Sequence, residues 1–597
     1  MKIAACALNQ TPLDWTGNIE RILQATDKAR KAGAGLVLFP ELALTGYGCE
    51  DYFFMPWVHQ KALENLHAHI VPASKGIFLA VGMPYSHKGI LYNCLAICQD
   101  GKLEGLYAKQ ILAKTGVFYE SRWFEPWTPL SNETIETPSG SCLFGDFTVS
   151  WNGIRVGFEI CEDGWHPTSR PAKIGAAQHA DLILNASASN YGRGKREERH
   201  AVIESLAGVH EGYYLYTNLV GNESGKLIFD GEIMFGSDGV VLSSSAMLSM
   251  RDVEVAIFDL EDLEQSFEKA AERNDFDEFT TAAGLGLFDY LRKSGSKGFA
   301  LSLSGGADSA ACAILVAEML KRAEIKLGKA ELERKLGFKL KGKTSKEWLG
   351  QILVCVYQST ANSGEVTFKA ASELANFLGA EFHHWQIDHL VSEYTKLTEQ
   401  SIGRPLSWGT DDLVLQNIQA RTRAPGIWML ANTRNFLLLT TSNRSEGDVG
   451  YCTMDGDTAG SLAPIAGVTK HFIRQWLVWA RDHLHYPVLD LIIAQQPTAE
   501  LRPSEQKQTD EADLMPYDLL EQIEVCWIGD RMSREETIAR LKETRQEKGE
   551  YLELQVDRFI TLWKRSQWKR ERLAPSFHLD RFNIDPKSTG RFPVLSK

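Results

Sequence analysis

The stretch from Gly298 to Leu320, GFALSLSGGADSAACAILVAEML, restricts the fold more than any other part of the chain. Its first seven residues carry almost no polar alternation, which marks a strand buried on both faces of a parallel sheet. The segment after Gly306 is apolar on most sides and reads as a buried helix. Two glycines between them permit a tight strand-to-helix turn, where free amides and the helix dipole favour an anion. Ser304 and Ser309 add hydroxyl donors there, and Asp308 suits a divalent cation better than the phosphate itself. The class is therefore α/β, with a candidate nucleotide turn at Ser304–Ser309.

A chain of 597 residues is too long for one core, so two large domains are expected. Up to about residue 270, short β-rich runs alternate with helical stretches: KIAACALNQ, GLVLFPELALT, GIFLAVGMPY, RVGFEICEDG, ADLILNASAS and VEVAIFDLE. An acidic helical segment then breaks this rhythm, and the strand, turn and helix pattern restarts at residue 298. The expected domains are 1–270 and 271–597, with the boundary between residues 265 and 280.

Composition removes several classes. The residues are 44 % hydrophobic and 24 % charged, and no apolar run approaches the roughly 18 residues of a membrane span. A net charge of −13 supplies no global attraction to nucleic acid. The N-terminal MKIAACALNQTPLDW lacks a basic stretch followed by a long apolar run, which predicts a cytoplasmic location. Ten cysteines without a CxxC pair fit reduced, buried thiols, so no structural metal is expected.

One motif misleads. GFKLKGKT, Gly337 to Thr344, has the spacing of a phosphate-binding P-loop, but charged, helix-like sequence precedes it where a hydrophobic strand is required. It reads as a solvated basic excursion, with Thr344 capping a helix that starts SKEW.

Three strings in the first domain each present one reactive residue at an expected strand end or loop: LFPELALTGY supplies Glu41, YAKQIL supplies Lys109 and FEICEDGW supplies Cys161. If they converge, the glutamate can take the thiol proton and return it to departing ammonia. The lysine can then steady the thiolate and the tetrahedral oxyanion.

The order and contexts of these strings resemble the nitrilase, or carbon-nitrogen hydrolase, superfamily with its Glu, Lys, Cys triad. That resemblance implies an α-β-β-α sandwich and makes Glu120, in GVFYESRWF, the supporting glutamate. It also places Ser189 and Lys195, in NASASNYGRGKREER, at the backbone groups of a glutamine substrate. Where relatives read KxxLPNYGVF with a glutamine-contacting tyrosine, this chain reads KQILAKTGVF, with Thr115 at that position.

In the second domain, SGGxDS resembles the PP-loop of the ATP pyrophosphatases, which implies AMP-forming chemistry. LVLQNIQARTR, LLTTSNRSEGDVGYCTMDGDTAGSLAPIAGVTK, PTAELRPSEQKQTDEADLMPYDLL and SQWKRERLAPSF extend the likeness to NAD synthetase. The fused chain as a whole resembles the glutamine-dependent NAD⁺ synthetase family. The implied fold is a doubly wound α/β PP-loop domain. The implied ATP contacts are Ser304, Gly305, Gly306, Asp308, Ser309 and Thr441, with Mg²⁺ shared by Asp308 and Glu446. Asn417, Glu446, Tyr451, Asp457, Lys470 and Lys569 fall where the family meets nicotinic acid adenine dinucleotide or ATP.

The resemblance further implies L-glutamine as nitrogen source, a homo-oligomer, and a lid at residues 497–516, while charge and composition argue for no nucleic-acid or membrane partner. Two alternatives stand beside it: a PP-loop amidotransferase for another carboxylate, and a degenerate, non-catalytic scaffold.

Overall fold

The computed structural model describes the chain except for residues 115, 167–168, 210–211, 246, 262–273, 497–499, 504–509 and 596–597. Of the segment expected to form a lid, residues 497–499 and 504–509 thus lie outside the described residues. The chain forms two compact units, Met1–Asn274 and Asp275–Lys597.

The first unit is a four-layer α-β-β-α sandwich. One sheet has eight strands, in the order Val253–Asp259, Lys2–Leu8, Ala34–Leu38, Phe78–His87, Ile90–Gln99, Lys102–Ala108, Gly140–Gly145 and Asn132–Thr137. The other has six, in the order Val240–Ser244, Ile233–Ser237, Tyr213–Asn218, Leu182–Ser187, Ile154–Ile160 and Val149–Trp151.

The Lys2–Leu8 strand shows why alternation is missing from the sequence. Its Ala4, Cys6 and Leu8 pack with Ile19, Ile22, Ala25 and Ala29 of the helix Trp15–Lys31. By strand alternation Ile3, Ala5 and Ala7 turn to the opposite face, which is also buried. The second sheet covers that face, and the Thr217 hydroxyl donates across to the Cys6 carbonyl at 2.7 Å. Helix Lys195–Val209 covers the outer side of the second sheet, where Ile203, Leu206 and Ala207 meet Ile183, Tyr214 and Met234.

The second unit holds a four-stranded, all-parallel sheet in the order Glu381–Gln386, Leu353–Ser359, Gly298–Ser302, Phe436–Leu439. In chain order this is 3-2-1-4, the doubly wound arrangement, and a crevice is expected at the carboxyl ends of the two strands where the winding reverses. Helix Asp412–Arg434 covers one face, packing Ile427 and Ala431 on Ala300, Val354, Val356 and Leu438. Helices Ala307–Leu336 and Glu365–Leu378 pack on the other.

A further helical layer, built from Tyr517–Glu524, Arg534–Thr544 and Gly549–Arg565, has its own core around Leu520, Leu552, Phe559 and Trp563. The false P-loop resolves as read. Gly337, at φ +75°, ends the long helix, and Thr344 caps Ser345–Ile352 by accepting from the Glu347 amide at 3.4 Å. Among the described residues no helix is long and apolar enough to cross a membrane.

Candidate active sites

In the first unit, reactive residues sit where strands stop. Lys109 follows Lys102–Ala108 directly, Cys161 follows Ile154–Ile160 directly, and Glu41 lies three residues beyond Ala34–Leu38. The chain bearing Glu41 crosses Gly82 so closely that a Cβ there would lie 2.3 Å from the Leu42 nitrogen. Only glycine allows that crossing.

Cys161 opens a short 3-10 turn at φ +45°, a left-handed conformation costing about 1–2 kcal/mol for a residue with a side chain. The buried Asp163 carboxylate holds the turn in place. It accepts from the Ile160 amide at 2.9 Å, the Ile111 amide at 2.7 Å, the Gln110 amide at 3.1 Å and the Tyr107 hydroxyl at 3.2 Å. One side chain therefore ties the cysteine turn to the loop that begins at Lys109.

Lys109 is fully buried and donates to Glu41 Oε1 at 2.6 Å and to Glu120 Oε1 at 2.9 Å. Burial works against its ammonium, but the Glu120 and Glu41 carboxylates outweigh it and hold the group well above its ordinary pKa. Asn93 also donates to Glu41 Oε1, at 2.7 Å, whereas Glu41 Oε2 is buried without a hydrogen-bond partner among the described residues. That oxygen is open to a proton. Burial pushes the Glu41 carboxyl up to about 7, with Lys109 opposing the shift. Burial, then the Glu41 charge, pushes the Cys161 thiol up to about 12, so at neutral pH it is protonated and needs a base.

Glu120 is fixed by the Ala113 amide at 3.1 Å and the Tyr47 hydroxyl at 2.8 Å. The Ser189 amide donates to Asn218 Oδ1 at 2.8 Å, and Ser189 Oγ accepts from Arg199 at 3.3 Å. Lys195 lies over the Phe118 ring at 5.2 Å. Burial, then the charge of Arg199, lowers its ammonium to about 8, while the charge at Cys161 opposes the shift. Thr115 lies outside the described residues. Asn93, Asp163 and Tyr47 did not stand out from sequence. Asn93 is hidden in the apolar run YNCLAIC, and Asp163 reads as an ordinary acid beside Glu162.

In the second unit, Gly305 takes φ +83°, and a Cβ there would lie 2.1 Å from the Thr367 carbonyl oxygen. Ser304 Oγ and Ser309 Oγ are 3.1 Å apart, and the Gly306 amide donates to Ser304 Oγ at 3.3 Å. The turn borders a cavity of about 500 Å³ whose lining includes Ser304, Gly306, Asp308, Ser309, Thr441, Glu446, Tyr451, Asp457 and Lys470.

Lys470 bridges the two acids, donating to Asp308 Oδ2 and, at 3.4 Å, to Glu446 Oε1. Asn443 donates to Asp308 Oδ1 at 3.2 Å and accepts from the Glu446 amide at 3.0 Å. Burial pushes Glu446 up to about 8, with Lys470 opposing and Asp308 reinforcing the shift. Two carboxylates converging on one cation at a phosphate-binding turn form a donor set that fits a hard divalent ion.

The remaining residues spread more widely. Asp457 Oδ2 accepts from the Thr453 amide at 2.7 Å, and Tyr451 donates to Asp513 at 2.9 Å. Asn417 accepts from Thr453 Oγ1 at 2.8 Å and lines a second cavity of about 730 Å³ with Arg421, Trp428 and Arg572. The Lys569 ammonium is taken up by the carbonyls of Gly450 at 2.7 Å and Cys452 at 2.8 Å. Sequence reasoning also missed Asn443 and Asp510. Asp510 lines the 500 Å³ cavity, accepts from the Tyr517 hydroxyl at 3.2 Å, and is raised by burial.

Fold and sites together define a two-unit chain with a carbon-nitrogen hydrolase joined to a nucleotide-binding synthase. Residues 2–266 match the carbon-nitrogen hydrolase family and residues 280–572 the NAD synthase family. The chain is 30 % identical to glutamine-dependent NAD(+) synthetase of Bos taurus over 86 % of its own length and 83 % of the relative's. It is 29 % identical to a putative enzyme of that name from Schizosaccharomyces pombe, over 98 % and 94 %. The crystal structure of a glutamine-dependent NAD(+) synthetase from Cytophaga hutchinsonii superposes with a TM-score of 0.89 at 41 % identity, covering 100 % of this chain and 98 % of that one. The chain belongs to the glutamine-dependent NAD⁺ synthetase family.

Proposed function

We propose that this chain amidates nicotinic acid adenine dinucleotide to NAD⁺ with nitrogen from L-glutamine, consuming ATP to AMP and pyrophosphate. The reading rests on one observation: a buried Glu–Lys–Glu cluster beside a strained cysteine, and a phosphate turn facing two lysine-bridged carboxylates, occur in the same chain.

In the first unit Glu41 Oε2 takes the Cys161 proton as Sγ attacks the carboxamide carbon of glutamine. Lys109 steadies the oxyanion. The C–N bond breaks, ammonia leaves with the proton from Glu41, and water then hydrolyses the thioester with Glu41 again as base. Ser189 and Lys195 hold the backbone groups of glutamine, and Thr115 takes the sequence position at which relatives carry a glutamine-contacting tyrosine.

In the second unit the turn Ser304–Ser309 and Thr441 hold ATP. Asp308 and Glu446 would hold Mg²⁺, which neutralises charge on the departing pyrophosphate. The nicotinate carboxylate attacks the α-phosphorus and expels pyrophosphate, and ammonia displaces AMP from the adenylate. Asn417, Tyr451, Asp457, Lys470 and Lys569 position the dinucleotide, Lys569 through the loop it holds.

A homo-oligomer is supported by helix Asp388–Ile402, which buries none of its residues and exposes Leu390, Tyr394 and Leu397 beside Leu413 and Met429 of the next helix. Light scattering measures it. Ten free thiols suit a reducing cytoplasm.

The function is tested by assaying NAD⁺ formation from nicotinic acid adenine dinucleotide, ATP and Mg²⁺ with glutamine or ammonia, for the parent and Cys161→Ala. The variant should lose only the glutamine-driven reaction. Absence of NAD⁺ from well-folded parent with either nitrogen source overturns the substrate assignment.

A further inference from the structure

Glu446 stands on a helix of only six residues, Arg444–Val449, too short to be held by its own hydrogen bonds and left with orphan carbonyls at its end. Those carbonyls are taken by one distant segment. Arg570 donates to the Gly447 carbonyl at 3.3 Å and the Asp448 carbonyl at 2.8 Å, Ser566 Oγ donates to Val449 at 3.2 Å, and Lys569 continues to Gly450 and Cys452.

Arg570 is itself locked. It is 2 % exposed, stacks 3.7 Å from the centre of the Trp563 ring, and donates to the Trp563 carbonyl at 2.6 Å and Gln567 Oε1 at 3.0 Å. Gly450, at φ +67°, approaches so closely that a Cβ would lie 2.1 Å from Ser566 Oγ. The other end is gripped from Glu524 of the helical layer and from the chain around residues 467 and 580–582. Arg444, 1 % exposed, pairs with Glu524 and with Asp580 at 3.0 Å, and donates to the carbonyls of Gly467 and Phe582, each at 3.1 Å.

A helix end can be capped by water or a glycine, and burying two guanidiniums for the purpose carries a desolvation cost. What the charges add is a single fixed position. We propose that Arg570 and Ser566, with Arg444 and Glu524 opposite, are positioning residues through which the C-terminal helical layer sets the place of Glu446 in the ATP–cation half-reaction. The proposal rests on the reading of Glu446 as a ligand of the ATP-bound cation.

The test uses the full chain and the ammonia-driven reaction. For Arg570→Gln the Mg²⁺ half-saturation concentration should rise about tenfold, with kcat at saturating Mg²⁺ far less changed, as expected for one lost charge-assisted contact set. Ser566→Ala should give about a twofold rise, and Arg570→Lys an intermediate one. Hydrogen exchange without nucleotide or metal should show residues 444–452 losing protection in step.

A variant that melts earlier but keeps the parental Mg²⁺ dependence and exchange overturns the proposal, since a purely structural role predicts that pattern. If Arg570→Gln does not fold, Ser566→Ala and Arg570→Lys decide by the same two readouts. Glu446→Gln separates the two readings. If it leaves the Mg²⁺ dependence intact, the ligand role fails; if it destroys that dependence while the Arg570 variants match the parent, the clamp alone fails.

Discussion

Both sites are built from the same pieces, a buried lysine between two carboxylates, and they use them in opposite ways. In the first unit Lys109 donates to Glu41 at 2.6 Å and Glu120 at 2.9 Å, and the open valence belongs to an acid, Glu41 Oε2. The cluster is complete before substrate arrives, as suits covalent chemistry on a neutral amide. In the second unit Lys470 stands between Asp308 and Glu446, where the proposed chemistry calls for a divalent ion. Under that proposal the cluster has to rearrange around a polyanion. Matching charge types thus reveal little until it is clear which atom is left open to the substrate.

Breaking each lysine cluster should separate the two. The largest effect is expected for Glu41→Gln, which removes the base. Glutamine-driven turnover should fall about 10²–10⁴-fold while ammonia-driven synthesis is retained. Equal loss of both activities in a steady-state assay would erase the distinction between the clusters. Lys470→Met leaves Asp308 and Glu446 facing each other. Synthesis from either nitrogen source should drop about 10²–10³-fold, with Cys161 alkylation by iodoacetamide unchanged.

The pH dependence comes next. Glu41 works only when ionised, and burial raises its pKa to about 7, so glutamine hydrolysis should decline as pH falls through 7. An acid limb with its midpoint near that of an exposed glutamate would contradict the buried-base picture. The smallest change is Asn93→Ala, which removes one donor to Glu41. It should cost several-fold in glutaminase kcat and move that acid limb upward, because a lost hydrogen bond to the carboxylate favours its protonated form.

Residues at strand ends were readable because the change from apolar run to isolated reactive side chain is a local event. Glu41, Lys109, Cys161 and the turn at Ser304 all have that signature. Asn93 does not: it lies inside the Ile90–Gln99 strand, and a polar residue among apolar neighbours looks like alternation. Asn443 was equally silent, since its part is to cap one helix and hold an aspartate 135 positions away. The hold of Ser566 and Arg570 on the Glu446 helix escaped notice for a different reason. Those side chains donate to the main-chain carbonyls of Gly447, Asp448 and Val449, which carry no residue identity. Asn417 shows the converse, a motif position legible in sequence whose side chain faces a different cavity from the phosphate turn.

Lys470 also bears on how the protein withstands depletion of its surroundings. A site whose acids depended on a bound ion for neutrality would be left with mutually repelling charges whenever a chelator removed that ion, and the fold would weaken. Here the covalently attached ammonium already stands between Asp308 and Glu446. EDTA should therefore silence synthesis without lowering the melting temperature, and restoring Mg²⁺ should restart turnover without a refolding lag.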